Sequence, residues 1–145
     1  MNEYYWTPAD FEKLKNAHGM SECLVLAFEI LDRMPQPVVM VSGPISTGGH
    51  GSVEENTRAF ADAIRLLRLS GKTVFNQLAF EDKFLEFSKQ SKMVYFTPIL
   101  DDFFLPILKS GKIKQIIFMK DWQSSTGSRW EYTEAGQLGI DRIFQ

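Results

Sequence analysis

A parallel α/β sheet with helices on both faces is the architecture this sequence predicts, and three observations carry it. The run VVMVSG at 38–43 is continuously apolar and closed by glycine, the pattern of a buried parallel strand, and KQIIFM at 114–119 reads as a further strand. Amphipathic segments separate the runs, so from residue 38 the order is strand–helix–strand–helix–strand–helix–strand. Loops rich in Gly, Ser and Thr leave the ends of the first and third strands and lead into helices.

Each element has its own reason. Residues 1–37 read as an N-terminal helical extension. Thr7 offers an N-cap and Pro8 takes the first helical position, where a missing N–H costs nothing. A second helix over 21–34 sets Leu24, Ala27, Phe28 and Leu31 along one face, and Pro35 and Pro37 end it. The α/β domain then runs over 38–145. After the first strand, 53–71 places Phe60, Ile64 and Leu67 on one helical face and ends at Gly71, a natural C-cap. KTVFNQ at 72–77 is the second strand. Residues 78–98 are aromatic and charged without a clean period, and read as a partly helical insertion. The segment 99–111 is helical despite Pro106. The last helix is expected over 130–139 and a short final strand over 141–145. This is the layout of a small Rossmann-like or flavodoxin-like sheet.

Composition narrows the function classes. The 145 residues are 44% hydrophobic and 23% charged with a net charge of -2, ordinary for one soluble domain and without the basic footprint of a duplex nucleic-acid binder. Cys23 is the single cysteine, which excludes an intrachain disulfide and points to a reducing cytoplasm. His18 and His50 are the only histidines, too few and too far apart for a zinc-type cluster, and no metal or cofactor is called for. The N-terminus is polar and acidic, unlike a signal peptide, and no apolar run approaches a membrane span.

Two loops leave strand ends where α/β sheets bind ligands: SGPISTGGHGS after the first strand and DWQSSTGS after the third. Both precede helices, whose exposed N–H groups attract phosphate or carboxylate. The first is neither a Walker A sequence nor a G-x-G-x-x-G fingerprint, and a plain flexible turn is its alternative reading. The second is more specific. Ser125-x-Gly127-x-x-x-Glu131 resembles the motif of the nucleoside 2-deoxyribosyltransferase superfamily, and with Trp122 included it is most similar to a small bacterial and phage branch. Gly43, Pro44 and Ile45 resemble that branch's first turn, Asn56 and Phe60 its first helix, and Gly71, Val74, Phe75 and Asn76 its second strand. The resemblance covers roughly 38–145, thins out over 78–100 and leaves 1–37 unmatched.

The resemblance implies that Glu131 is a nucleophile that attacks C1′ of a ribose or deoxyribose, kept ionised by its helix N-terminus, to give a glycosyl ester and a departing base. It implies a second carboxylate on the helix before the third strand, with Asp102 the best match and Asp101 the alternative; a solvated or capping role is the competing reading of both. Ser125 is implied as a phosphate ligand, as in relatives that hydrolyse 2′-deoxynucleoside 5′-monophosphates. Ser46, Gly48 and Gly49 would complete the cradle, with Asn76, Trp122 and Gly127 also in the binding set. For Trp122 and Trp130 a place in the core or wall competes with base stacking. His50 reads as an incidental loop residue and Arg129 as a surface helix residue, each with substrate contact as the alternative.

Two positions depart from the family. Met40 stands where relatives carry a tyrosine, and Lys114 or Gln115 where they carry an aspartate. The expected partner is a nucleoside or nucleoside monophosphate. A homodimer or larger homo-oligomer is also implied, and the 12 phenylalanines, many between 75 and 104, suggest rings at a subunit interface. Two other readings stand beside the enzyme. One is a non-catalytic nucleotide-binding or sensing domain. The other is an interaction module docking through a patch of Phe84, Phe87, Phe96 and Phe103.

Overall fold

The computed structural model describes residues 5–93 and 95–145. Residues 1–4, at the start of the N-terminal extension, and Val94, inside the 78–100 insertion, lie outside the described residues. Four parallel strands form one sheet in the order β2-β1-β3-β4, with β1 at Val38–Ser42, β2 at Thr73–Val74, β3 at Ile113–Phe118 and β4 at Asp141–Phe144. The helices are α1 (Pro8–Lys15), α2 (Met20–Arg33), α3 (Val53–Leu69), α4 (Glu81–Gln90), α5 (Leu105–Lys109) and α6 (Thr126–Leu138). This is the expected Rossmann-like or flavodoxin-like α/β fold.

Burial explains why the strands read so clearly. Every residue of β1 is buried, and its side chains divide between two layers. Val38 and Met40 pack with Ile116, Phe118 and α2, whereas Val39 and Val41 pack with Phe60, Ala63 and Ile64 of α3. Helices therefore cover both faces. β2 is shorter than expected because Asn76 caps a 3-10 turn over Gln77–Phe80, its side chain accepting from the Leu78 N–H at 3.0 Å, and so carries the chain out of the sheet.

The N-terminal extension is part of the core. Cys23, Leu26, Ala27, Ile30 and Leu31 of α2 are buried in the layer that holds Phe80, Phe84, Phe103 and Phe104. This stripe is rotated from the expected one: Leu24 and Phe28 lie at its half-buried edge. The rings of the insertion therefore have an interior of their own. Phe84, Phe87 and Phe103 are buried and Phe96 is half-buried, so they form no exposed patch, and the argument that such rings need a subunit interface loses its premise.

Over 99–111 the chain is helical as expected, but Ile99–Phe104 is a π-helical turn that passes into α5. Its wider hydrogen-bonded ring precedes Pro106, which has no N–H to give.

An ion pair between buried Asp10 and exposed Arg33 ties α1 to α2. Arg33 donates to both oxygens of Asp10, at 2.6 and 2.9 Å, while Asp10 and Thr7 form a reciprocal capping box. The Arg33 hydrogen bond outweighs burial and holds the Asp10 carboxyl down at about 2. A depressed carboxyl stabilises the fold above its unfolded value and loses that effect as pH falls toward 2. Asp10→Ala removes the cap and the paired hydrogen bonds but leaves Arg33 exposed to water, so urea titration at pH 7 should show a loss of about 2 kcal/mol that shrinks on acidification.

Candidate functional site

The carboxyl ends of β1 and β3 lie side by side where the strand order reverses, with β2 on one flank and β4 on the other. That crevice is where open α/β sheets place ligands. Ser42 ends β1 and is fully buried; its hydroxyl donates to Glu131 Oε1 at 3.3 Å. Glu131 lies in the second turn of α6, which begins at Thr126 rather than at 130 as expected. Ser125 is the N-cap, accepting from the Ser128 N–H at 3.2 Å, and Thr47 Oγ1 accepts from the Thr126 N–H at 2.9 Å.

Glu131 opens onto a cavity of about 70 Å³ lined by both loops and by the stretch between β2 and β3. Gly43, Ile45, Ser46, Ser125 and Gly127 line it, as expected of binding residues. So do Thr47, inside the expected Ser46–Gly49 cradle, and residues the sequence did not single out: Gln77, Glu81, Tyr95 and Ser128. Among the described residues, three buried side-chain oxygens have no hydrogen-bond partner: Gln77 Oε1, Ser128 Oγ and Glu131 Oε2. All three belong to residues of this one cavity. Gln77 is fixed by donating Nε2 to the Val41 carbonyl at 2.7 Å, which leaves Oε1 as a committed acceptor. Buried polar groups are rarely left unsatisfied, so three at one cavity mark a place made for a polar ligand.

The electrostatics reverse one expectation. Burial pushes the Glu131 carboxyl up from 4.5 to about 8, opposed by the Ser42 hydrogen bond and reinforced by Glu81. The α6 dipole does not offset this, because the effect fades beyond the first turn and Glu131 is in the second. Glu81, at the start of α4, is raised to about 7 by burial and by Asp82. Tyr95 is raised by burial, then by Glu131 and Glu81. No Lys, Arg or His is among the described residues that line the cavity.

The other expected residues fall elsewhere. Asp101 and Asp102 are exposed and line a separate surface hollow with Met20, Leu24 and Pro106, so neither supplies the cavity's second carboxylate. The π turn sends Phe103 and Phe104 inward and leaves the two aspartates outside. Gly48 and Gly49 line a neighbouring hollow with Ser52 and Asn56. Their loop is not an open anion cradle, because the Gly49 N–H donates to Ser124 Oγ and the His50 N–H to Asn56 Oδ1, both at 2.8 Å. Gly48 has φ 70°, and a Cβ there would collide with the Ser124 carbonyl. Pro44 is buried and Asn76 serves as a cap; neither lines the cavity. Trp122 stacks on Tyr132 at 4.8 Å and packs on Phe118 against the core, outside the cavity lining. Trp130 packs against the core, and Arg129 folds back onto the Gln123 carbonyl at 2.7 Å. His50 is exposed, with Nε2 4.0 Å from Asp121. Met40 is fully buried in the core.

Of the missed residues, Gln77 had a usable signal, since it lies just beyond the carboxyl end of a strand. Glu81 and Tyr95 lie in the segment without periodicity and had none. Among the described residues, no group of three or more His, Cys, Asp or Glu side chains could hold a metal ion. No helix of the described residues is long and apolar enough to cross a membrane.

The chain matches no family model, and no curated protein or solved structure matches it.

Proposed function

We propose that this protein cleaves the base–sugar bond of a nucleoside or nucleoside monophosphate through a covalent glycosyl ester on Glu131, as an N-glycosidase or a deoxyribosyltransferase-like enzyme. The observation that carries the reading is a buried glutamate with one oxygen unpartnered, at the strand-order reversal of a parallel sheet, in a cavity that also holds a second carboxyl. Retaining glycosyl transfer uses this pair of groups: one attacks the anomeric carbon and the other moves the proton. At about 70 Å³ the cavity is below the roughly 300–1,000 Å³ of most small-molecule sites, so a whole nucleoside enters only as the wall opens. The test is a panel of nucleosides and 5′-monophosphates scored for release of free base by the wild-type protein. No release from any member ends the reading.

A second reading has one observation in its favour. A Glu131 carboxyl raised to about 8 is mostly protonated at neutral pH, which suits a nucleotide-binding or sensing domain without chemistry. Binding without turnover across the panel would select it.

With no cation among the described residues of the lining, a phosphate belongs near Ser125 and the α6 N-terminus, away from the two carboxyls. A charge-assisted hydrogen bond contributes roughly 1.5–3 kcal/mol, so Ser125→Ala should weaken monophosphate binding about tenfold and leave the free nucleoside little changed in calorimetric titration. Equal losses for both would mean that Ser125 only caps the helix.

A further inference from the structure

We propose that Glu81, from the stretch between β2 and β3 where the family resemblance thins out, is the proton-carrying catalytic residue of the Glu131 site. The proposal rests on the glycosyl-transfer reading of Glu131 and goes beyond it by assigning the second half of the chemistry to an element outside the family pattern. Three observations support it. Glu81 lines the same cavity as Glu131, and Asp101 and Asp102 do not. Gln77, Ser128 and Glu131, each with a buried oxygen that has no partner, line that cavity together with Glu81, so unmet polar groups gather where Glu81 is. Tyr95 shares the lining and is influenced by both carboxyls, which places a phenol beside the pair while the family's tyrosine position holds a core methionine, Met40.

The groups that face Glu131 are Ser42 from β1, Ser128 on its own helix, Tyr95 before the π turn and Glu81 from α4. Burial raises both carboxyls, Glu131 more than Glu81, and the ionisation of either opposes that of the other, so near neutrality the pair can hold one proton, which rests on Glu131 in the free protein and has to pass to Glu81 as the sugar charge develops. In the transition state the sugar is oxocarbenium-like. Its positive charge and the Ser42 hydroxyl favour the carboxylate on Glu131 and leave the proton on Glu81.

The first step then balances. A Glu131 oxygen forms a bond to C1′ as the C1′–N bond breaks, its electron pair stays on the base nitrogen, and the Glu81 proton goes to the base. In the second step, the Glu81 carboxylate takes a proton from water as the water oxygen bonds to C1′. The ester bond breaks back to the Glu131 carboxylate, and Glu81 is again protonated. The sum is nucleoside plus water to free sugar plus base.

The experiment compares two leaving groups. Wild type, Glu81→Gln and Glu131→Gln are assayed on the best substrate of the nucleoside panel and on 4-nitrophenyl 2-deoxyriboside, whose leaving group departs without a proton. Loss of a general acid typically costs 10²–10⁴-fold where a proton is needed. Glu81→Gln should therefore lose about 10²-fold or more on the nucleoside and keep most of its first-turnover burst of 4-nitrophenolate, with later turnovers slowed because water attack lacks its base, while Glu131→Gln loses both. Formate, a small carboxylate that can take the proton from water in the second step, should restore later turnovers of the nitrophenyl substrate by Glu81→Ala, a rescue that a packing defect would not show. Equal rates for wild type and Glu81→Gln, or equal losses on both substrates without formate rescue, overturn the proposal. So does the reverse pattern, with Glu131→Gln active on the nitrophenyl substrate. A wild type inactive on the whole panel and on the nitrophenyl compound removes the underlying reading instead.

Discussion

Glu131→Gln is expected to abolish base release, by on the order of 10³-fold or more, while the protein gains stability above neutral pH. The amide keeps the shape and the contact with Ser42 but cannot form a glycosyl ester. The stability effect follows from the sign of the shift. A carboxyl raised from 4.5 to about 8 holds a proton in the folded chain that the unfolded chain has released. Its contribution is complete below about pH 4.5 and is lost as pH rises toward 8, at up to about 1.4 kcal/mol per pH unit. The glutamine variant should melt with a flatter dependence over pH 5–8, and at a higher temperature than wild type at pH 8. Base release and melting curves taken across that range check both halves. Equal turnover by variant and wild type would end the nucleophile assignment.

The largest loss of stability should come from Phe103→Ala. Phe103 is fully buried, and its ring centroid lies 4.9 Å from Phe80, 4.9 Å from Phe84 and 5.0 Å from Phe104. Its removal leaves a hole between α2, α4 and the π turn that several stiff rings cannot close together. Buried Phe→Ala changes cost about 3–5 kcal/mol, and a value near 4 is expected by urea denaturation. A loss below about 1 kcal/mol would mean that this aromatic layer is loosely packed. Because Phe104 also lines the Glu131 cavity, the variant should lose activity before it unfolds.

The sheet was legible because β1 is buried throughout and β3 over Ile116, Ile117 and Phe118, and buried strands write themselves as apolar runs. The start of α6 was not. Thr126, Gly127 and Ser128 are weak helix formers, and what holds them helical is the Ser125 cap and a bond to Thr47 from the far loop. Glu131 was found through its spacing to Ser125 and Gly127, but its protonation was misjudged, since burial is a property of the packed chain. Asp102 was the natural choice by position along the chain, yet the two phenylalanines that follow it claim the inward side of the π turn. Glu81 reaches the site because the 3-10 turn after β2 delivers the first residue of α4 to the cavity, which no local pattern records. The two-residue strand β2 is a similar case, since Asn76 withdraws the chain from the sheet by a side-chain cap.

Two hydrogen bonds join the loop after β1 to the start of α6 and its preceding turn: Gly49 N–H to Ser124 Oγ, and Thr126 N–H to Thr47 Oγ1. Ser46, Thr47 and Ser125 thereby keep a fixed spacing before any occupant arrives. The entropy of ordering these two loops is lost during folding, not at binding, so contacts made along this rim carry little reorganisation penalty. Affinity for a ligand that fits the rim should be set by the fit itself, and a poorly matched ligand gains nothing from loops that cannot mould around it.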